Sequence, residues 1–368
     1  MSIVNVWHPV KLNPDWEKLY LTDYQTRFWG EHNTERKYFI PPRGAQTPIR
    51  DIVPISNDAI LGTHWNCCTF VWRVFENRGI GAPSPKGIDA KVYCSAITPH
   101  KPCLIQGLSD GTIAFMSMRP PFEHAAFYVL RTKAKSIFRL TISPDERYLL
   151  ATDNDEHVFT YKLDLSFLED SQITPTELKR IKPVDEVHDI KAKEPVQWLS
   201  FTPNGKFFAS GSRQSRKLVL WDTHSGKKQY EKTLQDPLGG IAVMPNGDYL
   251  VADSESKITF WELHTMSQLD SIEYKGGLSS CSGIALSPNG RYLVTPSYTL
   301  LILWDLKTGE YIAEFEMKPS HDDFGMESKY NSPREPVETM AFLPDGKHLV
   351  SGGDMGGLNL WDLSEFIK

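Results

Sequence analysis

Leu301-Ile302-Leu303-Trp304-Asp305 is the phrase on which the reading of this chain turns. Apolar β-formers followed by a tryptophan and an acid make a short buried strand that ends in a polar residue. The phrase recurs as Leu218-Val219-Leu220-Trp221-Asp222, Ile258-Thr259-Phe260-Trp261-Glu262, Leu358-Asn359-Leu360-Trp361-Asp362 and Phe70-Val71-Trp72-Arg73. Two weaker copies, Ile113-Ala114-Phe115-Met116-Ser117 and His157-Val158-Phe159-Thr160-Tyr161-Lys162, fill the gap after the first. The anchors fall at 72, 116, 161, 221, 261, 304 and 361, with spacings of 44, 45, 60, 40, 43 and 57 residues. Four of these match a repeat unit of ~40–45 residues, and the two long ones are that period plus an insertion.

A second phrase precedes most anchors: Ser143-Pro144-Asp145, Thr202-Pro203-Asn204-Gly205, Met244-Pro245-Asn246-Gly247, Ser287-Pro288-Asn289-Gly290 and Leu343-Pro344-Asp345-Gly346. Proline fixes φ, Asn or Asp tolerates a left-handed backbone and glycine supplies positive φ, so these are tight turns. Thr98-Pro99-His100 and Ser56-Asn57-Asp58 are degraded versions in the first two repeats. Strands at even spacing between such turns are an all-β signature.

Together these residues resemble the WD40-repeat family over about 45 to 363. The resemblance implies a seven-bladed β-propeller of four-stranded antiparallel blades, with the anchor ending the third strand of each blade. The last repeat stops after its third strand, while the strand-like Arg36-Lys37-Tyr38-Phe39-Ile40 lies before the first repeat. That segment is predicted to be the missing outer strand of the last blade and to close the ring. Pro41 and Pro42 suit a sheet edge. The family's buried His–Ser/Thr–Asp–Trp relay is incomplete in every repeat: Asp110 and Asp155 precede Met116 and Tyr161 in place of tryptophan. The other five blades hold Asn66, Ser215, Glu255, Tyr298 and Met355 at the aspartate position, so stability is expected to lean on strand packing.

The chain divides into an N-terminal extension, 1–35, and a propeller, 36–368, with insertions at about 166–193 and 317–334. In the extension, Asn13-Pro14 reads as a helix start, and Trp16, Leu19, Tyr20, Tyr24 and Phe28 share one face. That face, like Trp7 and Trp29, either packs on the propeller or forms a partner-binding arm. In the first insertion, Thr174-Pro175-Thr176-Glu177 opens a short helix or else the segment supplies the outer strand of blade three. The second insertion, with His321-Asp322-Asp323, reads as a solvated loop.

The 368 residues carry a net charge of −6, which argues against a protein whose main ligand is a phosphate backbone. Five cysteines, Cys67, Cys68, Cys94, Cys103 and Cys281, form neither a disulfide framework nor a zinc spacing and read as reduced thiols. No leader peptide or long apolar run is visible, so a soluble protein, cytoplasmic or otherwise intracellular, is expected.

No phosphate loop, zinc-protease or nucleophile-elbow motif is present, so no catalytic residue, metal or cofactor is expected. The family's geometry instead implies a ring of inner-strand starts at a channel mouth. Aligned strands place Arg50, Tyr93, Phe138, Gln197, Gly239, Ser282 and Glu338 there, followed by Asp51, Cys94, Arg139, Trp198, Gly240, Gly283 and Thr339. From these, Arg50, Asp51, Tyr93, Phe138, Arg139, Gln197, Trp198 and Glu338 are the candidate partner-binding residues, most of them on blades one to four. Trp198 and Arg139 equally suit packing of the channel wall. The expected function is a protein–protein interaction scaffold or the recognition subunit of a larger complex. Two alternatives stand beside it: a nucleic-acid-contacting subunit, and an enzyme centred on the channel, for which the inner set offers only Asp51 and Glu338.

Overall fold

A computed structural model describes residues 38–39, 48–65, 69–75, 78–81, 89–101, 103–117, 126–169, 177, 180–254, 257–274, 283–317, 336–354 and 356–367. Among them are seven antiparallel sheets of four strands. Six are consecutive meanders: Ile49–Pro54 through Arg78–Gly81, Val92–Ile97 through Ala126–Arg131, Arg139–Ile142 through Val184–Lys191, Trp198–Phe201 through Lys228–Thr233, Leu238–Val243 through Gln268–Glu273, and Ala285–Leu286 through Glu310–Glu316. The seventh joins Val337–Phe342, His348–Gly353 and Leu358–Asp362 to the N-terminal Tyr38–Phe39.

The first strands of neighbouring sheets lie side by side around one axis, from blade one through five and from six through seven back to one. Blades five and six meet backbone to backbone: a Cβ on Gly240 would lie 2.6 Å from the Cα of Gly283. The sheets therefore form a closed seven-bladed β-propeller, and the predicted closing strand is present. Tyr38 pairs with Asn359 and Phe39 with Leu358, antiparallel to the third strand of blade seven. The seam between first and last blades is filled by Ile49, Ile52, Ile60, Phe70 and Trp72 packed with Leu343, Val350 and Leu358. Burying a side chain of this size contributes about 1.5–3 kcal/mol, so this apolar set is the main adhesive of the closure.

Of the two readings of the first insertion, Val184–Lys191 takes the strand: it pairs with His157–Leu163 as the outer strand of blade three. A short 3₁₀ turn, Ser166–Glu169, precedes it. Thr174-Pro175-Thr176, the N-terminal extension 1–35 with its aromatic face, and all of 317–334 except Met317 lie outside the described residues.

Stability does not rest on packing alone, as the incomplete relay implied. Trp221 Nε1 donates to Ser210 Oγ (2.8 Å), Trp304 Nε1 to Thr295 Oγ1 (2.9 Å) and Trp361 Nε1 to Ser351 Oγ (2.8 Å). Each acceptor sits on the second strand, two residues beyond the one facing its tryptophan. In blade five that place is taken by Ala252, and Trp261 Nε1 donates instead to Thr259 on its own strand, at 2.9 Å. A buried indole N–H needs an acceptor, and a hydroxyl supplies one without the aspartate and histidine.

The turns follow their sequence. Ser287 Oγ donates to Asn289 Oδ1 (2.7 Å) and accepts from Tyr292 N (2.8 Å), and Gly290 has φ +70°. In blade three the glycine position is held by Glu146 at φ +57°, a costly backbone for a residue with a side chain. Its buried carboxylate reaches the degraded turn of blade two. There Oε1 accepts from the backbone N–H of His100 and, at 3.1 Å, of Lys101, while Oε2 lies 3.5 Å from Lys101 Nζ. The poor turn Thr98-Pro99-His100 is thus capped from the next blade. Glu146→Ala should lower the unfolding free energy in urea by about 1–3 kcal/mol, the cost of leaving those donors unmet. Glu146→Gly should lose about 1 kcal/mol less, because glycine relieves the backbone strain. An alanine variant as stable as the wild type would remove the cross-blade cap from this account.

Candidate partner-binding face

The inner strands start irregularly, and this irregularity shapes the rim. In blade one the register skips from Ile49 opposite His64 to Asp51 opposite Thr63, leaving Arg50 as a bulge. Tyr93, Gly239 and Glu338 are bulged in the same way in blades two, five and seven. In blades three and four, Phe138 N and Gln197 N bond to the carbonyls of Thr152 and Gly211, which also face Arg139 and Trp198. A bulge re-aims a side chain that a regular pleat would send to one sheet face. The bulged residues Arg50, Tyr93, Gly239 and Glu338 are thus set off from the regular pairing of their strands.

Four blades contribute to one cluster. The Arg50 guanidinium carbon lies 3.8 Å from the centre of the Trp65 ring and 6.0 Å from that of Phe138. Trp65 meets Tyr93 edge-on at 6.3 Å, and Tyr93 meets Phe138 edge-on at 6.3 Å. All three rings are half-buried. Arg50 Nη1 stands 3.6 Å from Glu338 Oε2, across the seam between blades one and seven. Arg139 Nη1 stands 3.1 Å from Asp51 Oδ1 and 3.4 Å from the Arg50 carbonyl. Asp51 Oδ2 accepts from Ser95 N at 3.1 Å. Both arginines are thereby held by contacts within the chain.

Burial sets the electrostatics. It raises the Asp51 carboxyl above its ordinary value even with Arg139 and Ser95 opposing, and lowers the Arg50 guanidinium. Burial also pushes Glu338 up to about 7; Arg50 opposes this and Asp354 adds to it. Asp51 and Glu338, the two carboxylates available to a channel enzyme, are each engaged by an arginine and sit on separate ion pairs. Among the described residues, no group of three or more His, Cys, Asp or Glu is placed to hold a metal. Cys94 and Cys103 are buried free thiols, both held protonated by burial.

The blade-four candidates are placed differently. Trp198 is buried among Leu218, Leu238 and Ile241, in the core shared by blades four and five. Its indole reaches toward blade six, where a Cβ on Gly283 would be 3.4 Å from Nε1. Gly283 has φ +103°, a backbone closed to side chains. Of the two roles open to Trp198, the contacts observed are those of packing. Gln197 Oε1 accepts from Arg213 N (3.0 Å) and orders the adjacent turn. The cluster runs through blades seven, one, two and three, and so is displaced by one blade from the expected one-to-four side. Trp65 was not among the expected residues. Its signal in the sequence is a bulky ring directly after the second strand, where a turn ordinarily calls for small or polar types.

The fold and this rim define a seven-bladed β-propeller with a preformed aromatic and charged mouth. The chain matches the family model "WD domain, G-beta repeat" at residues 185–222 and 327–362. It is 28% identical over 78 residues to the small ribosomal subunit protein RACK1 of Medicago sativa, covering 21% of this chain and 24% of that protein. RACK1z of Arabidopsis thaliana matches to the same extent. The GATOR2 complex protein Mio of Drosophila melanogaster is 22% identical over 171 residues, 46% of this chain and 18% of that protein. The chain spans about a quarter or less of the length of these curated relatives. No helix among the described residues is long and apolar enough to cross a membrane.

The raised Glu338 carboxyl has a measurable consequence. A carboxyl that binds its proton more tightly when folded adds stability that is full below its ordinary value of 4.5 and is lost as pH rises through about 7. Wild type should therefore lose stability relative to Glu338→Gln between these values, by at most about 1.4 kcal/mol per pH unit. Urea denaturation of both proteins across that range checks this, and parallel pH profiles would contradict it.

Proposed function

We propose that this protein is a non-catalytic interaction platform, acting as a recognition subunit of a multi-protein complex. In this reading it holds a protein partner on the rim formed by Arg50, Asp51, Trp65, Tyr93, Phe138, Arg139 and Glu338. The observation that carries the reading is the continuous Trp65–Tyr93–Phe138 ring chain with Arg50 stacked on its end. Aromatic and arginine side chains dominate interface energetics, most of all where their positions are fixed in advance. A rim composed of balanced ion pairs also favours a protein surface over a polyanion, which needs unpaired positive charge. The names of two relatives, a ribosomal subunit protein and a protein of the GATOR2 complex, agree with a life inside assemblies. Fold alone does not fix function, so the reading rests on the site.

The test compares wild type with Tyr93→Ala plus Phe138→Ala in affinity capture read by quantitative mass spectrometry, alongside thermal melting. The double variant should keep a cooperative melt and lose one defined partner set by about tenfold, a loss of 1.4 kcal/mol. Trp198→Ala serves as contrast and should mainly destabilise, by about 3–5 kcal/mol for an emptied buried site. An unchanged partner list for a folded Tyr93/Phe138 variant would reject the rim as the interface.

A further inference from the structure

The outer strands of neighbouring blades differ sharply in charge. In blade four the strand Lys228–Thr233 is neutralised locally: Glu231 lies 2.5 Å from Lys228 Nζ and 3.5 Å from Lys217 Nζ. The outer strands of blades five and six, Gln268–Glu273 and Glu310–Glu316, carry Asp270, Glu273, Glu310, Glu314 and Glu316 with no lysine or arginine. These five acids compare with a net charge of −6 for the whole chain. The same two strands hold Leu269 and Tyr311, 54% and 52% exposed, the most exposed large apolar side chains among the described residues.

Register shows which of these groups face one another, because cross-strand partners share a sheet face. Tyr311 is opposite Trp304, and Glu314 is opposite Ile302. Trp304 and Ile302 pack against Val251 and Ile258 of blade five, so Tyr311 and Glu314 face blade five. On blade five, Asp270 and Ile272 are opposite Phe260 and Ile258 of that same cluster, so they face blade six. Tyr274 meets Trp304 at 5.2 Å and Trp304 meets Tyr311 edge-on at 6.0 Å. The wedge between the two outer strands thus has a floor of three aromatic rings and acids on both walls. The wedge between blades four and five differs, because there Tyr230 and the base Lys232 face blade five, opposite Leu220 and Leu218.

We propose that the wedge between blades five and six is a docking groove for an extended basic segment of a partner protein, an arginine of which stacks on Tyr311 and pairs with Asp270 or Glu314. Exposed aromatic faces and flanking carboxylates are what a guanidinium recognises: it stacks on the ring and donates two parallel hydrogen bonds to an acid. The groove lies on the outer wall, apart from the inner rim, so one protein could hold two partners at once.

The test is fluorescence polarisation of a short fluorescein-labelled peptide of alternating arginine and leucine, with an alternating glutamate and leucine peptide as comparison. Wild type should bind the basic peptide saturably and not the acidic one. Asp270→Asn plus Glu314→Gln should weaken binding by about tenfold, and Tyr311→Ala by about fivefold, in the range of cation–π and paired-charge contributions. Tyr230→Ala and the rim variant Tyr93→Ala plus Phe138→Ala should bind as wild type does. Absence of saturable binding, full affinity in Tyr311→Ala, or equal loss in Tyr230→Ala would each overturn the groove. All of these side chains are exposed or half-buried, and a melting curve for each variant shows that the ring is intact.

Discussion

A propeller has no end strand to spare, so everything depends on how its first and last blades are joined. Among the described residues, Tyr38 and Phe39 complete the last sheet. Side chains join the seam on both its levels. Ile49 and Trp72 pack against Val350 and Leu358 in its interior, and Arg50 reaches Glu338 at its upper rim. Gly352 belongs to the same constraint, since a Cβ there would sit 2.7 Å from Ile49. Apolar burial supplies the adhesion, while the ion pair fixes the orientation of the two inner strands. An ion pair of this kind adds little net energy against its desolvation, and specifying one geometry is its better-attested use.

The same seam is where the candidate binding face begins. Arg50 is at once the cross-seam partner of Glu338 and the base of the Trp65–Tyr93–Phe138 ring chain. Arg139 repeats the device one step further, joining blade three to blade one through Asp51. Closure of the ring and presentation of the rim are therefore one network. Groups that hold the blades in place also hold the surface still, which is what a recognition platform requires. On the opposite side of the axis the rim is plain: Gly239 and Gly240 give blade five little to present, and Trp198 leans toward Gly283 of blade six.

Divergence from the family pattern is compensated locally and by different chemistry in each blade. Where the relay loses its acid and histidine, the tryptophan keeps a hydroxyl acceptor. Where Ala252 removes even that, Thr259 on the same strand takes over. Where a turn lacks its glycine, Glu146 accepts a strained backbone and uses its carboxylate to secure the neighbouring blade. Asp253 shows the same economy: it is buried, accepts a 2.6 Å bond from Tyr274 Oη, and is pushed up to about 7 by that burial. Its tyrosine in turn packs on Trp304 of blade six.

The sequence by itself determined the blade count, the order of strands and the closing segment. It could do so because period, turn chemistry and alternation are local properties, written within about forty residues and repeated. What remained undecided was which rim residues meet. Arg50 and Glu338 are 288 positions apart in the chain, and only ring closure brings them to 3.6 Å. Trp65 was passed over because a ring in a turn has no partner until Arg50 is bulged toward it. For Trp198 the sequence left packing and partner binding both open, and the glycines of blades five and six give it a place in the core. Periodicity fixes where a side chain starts, and packing between blades fixes where it ends.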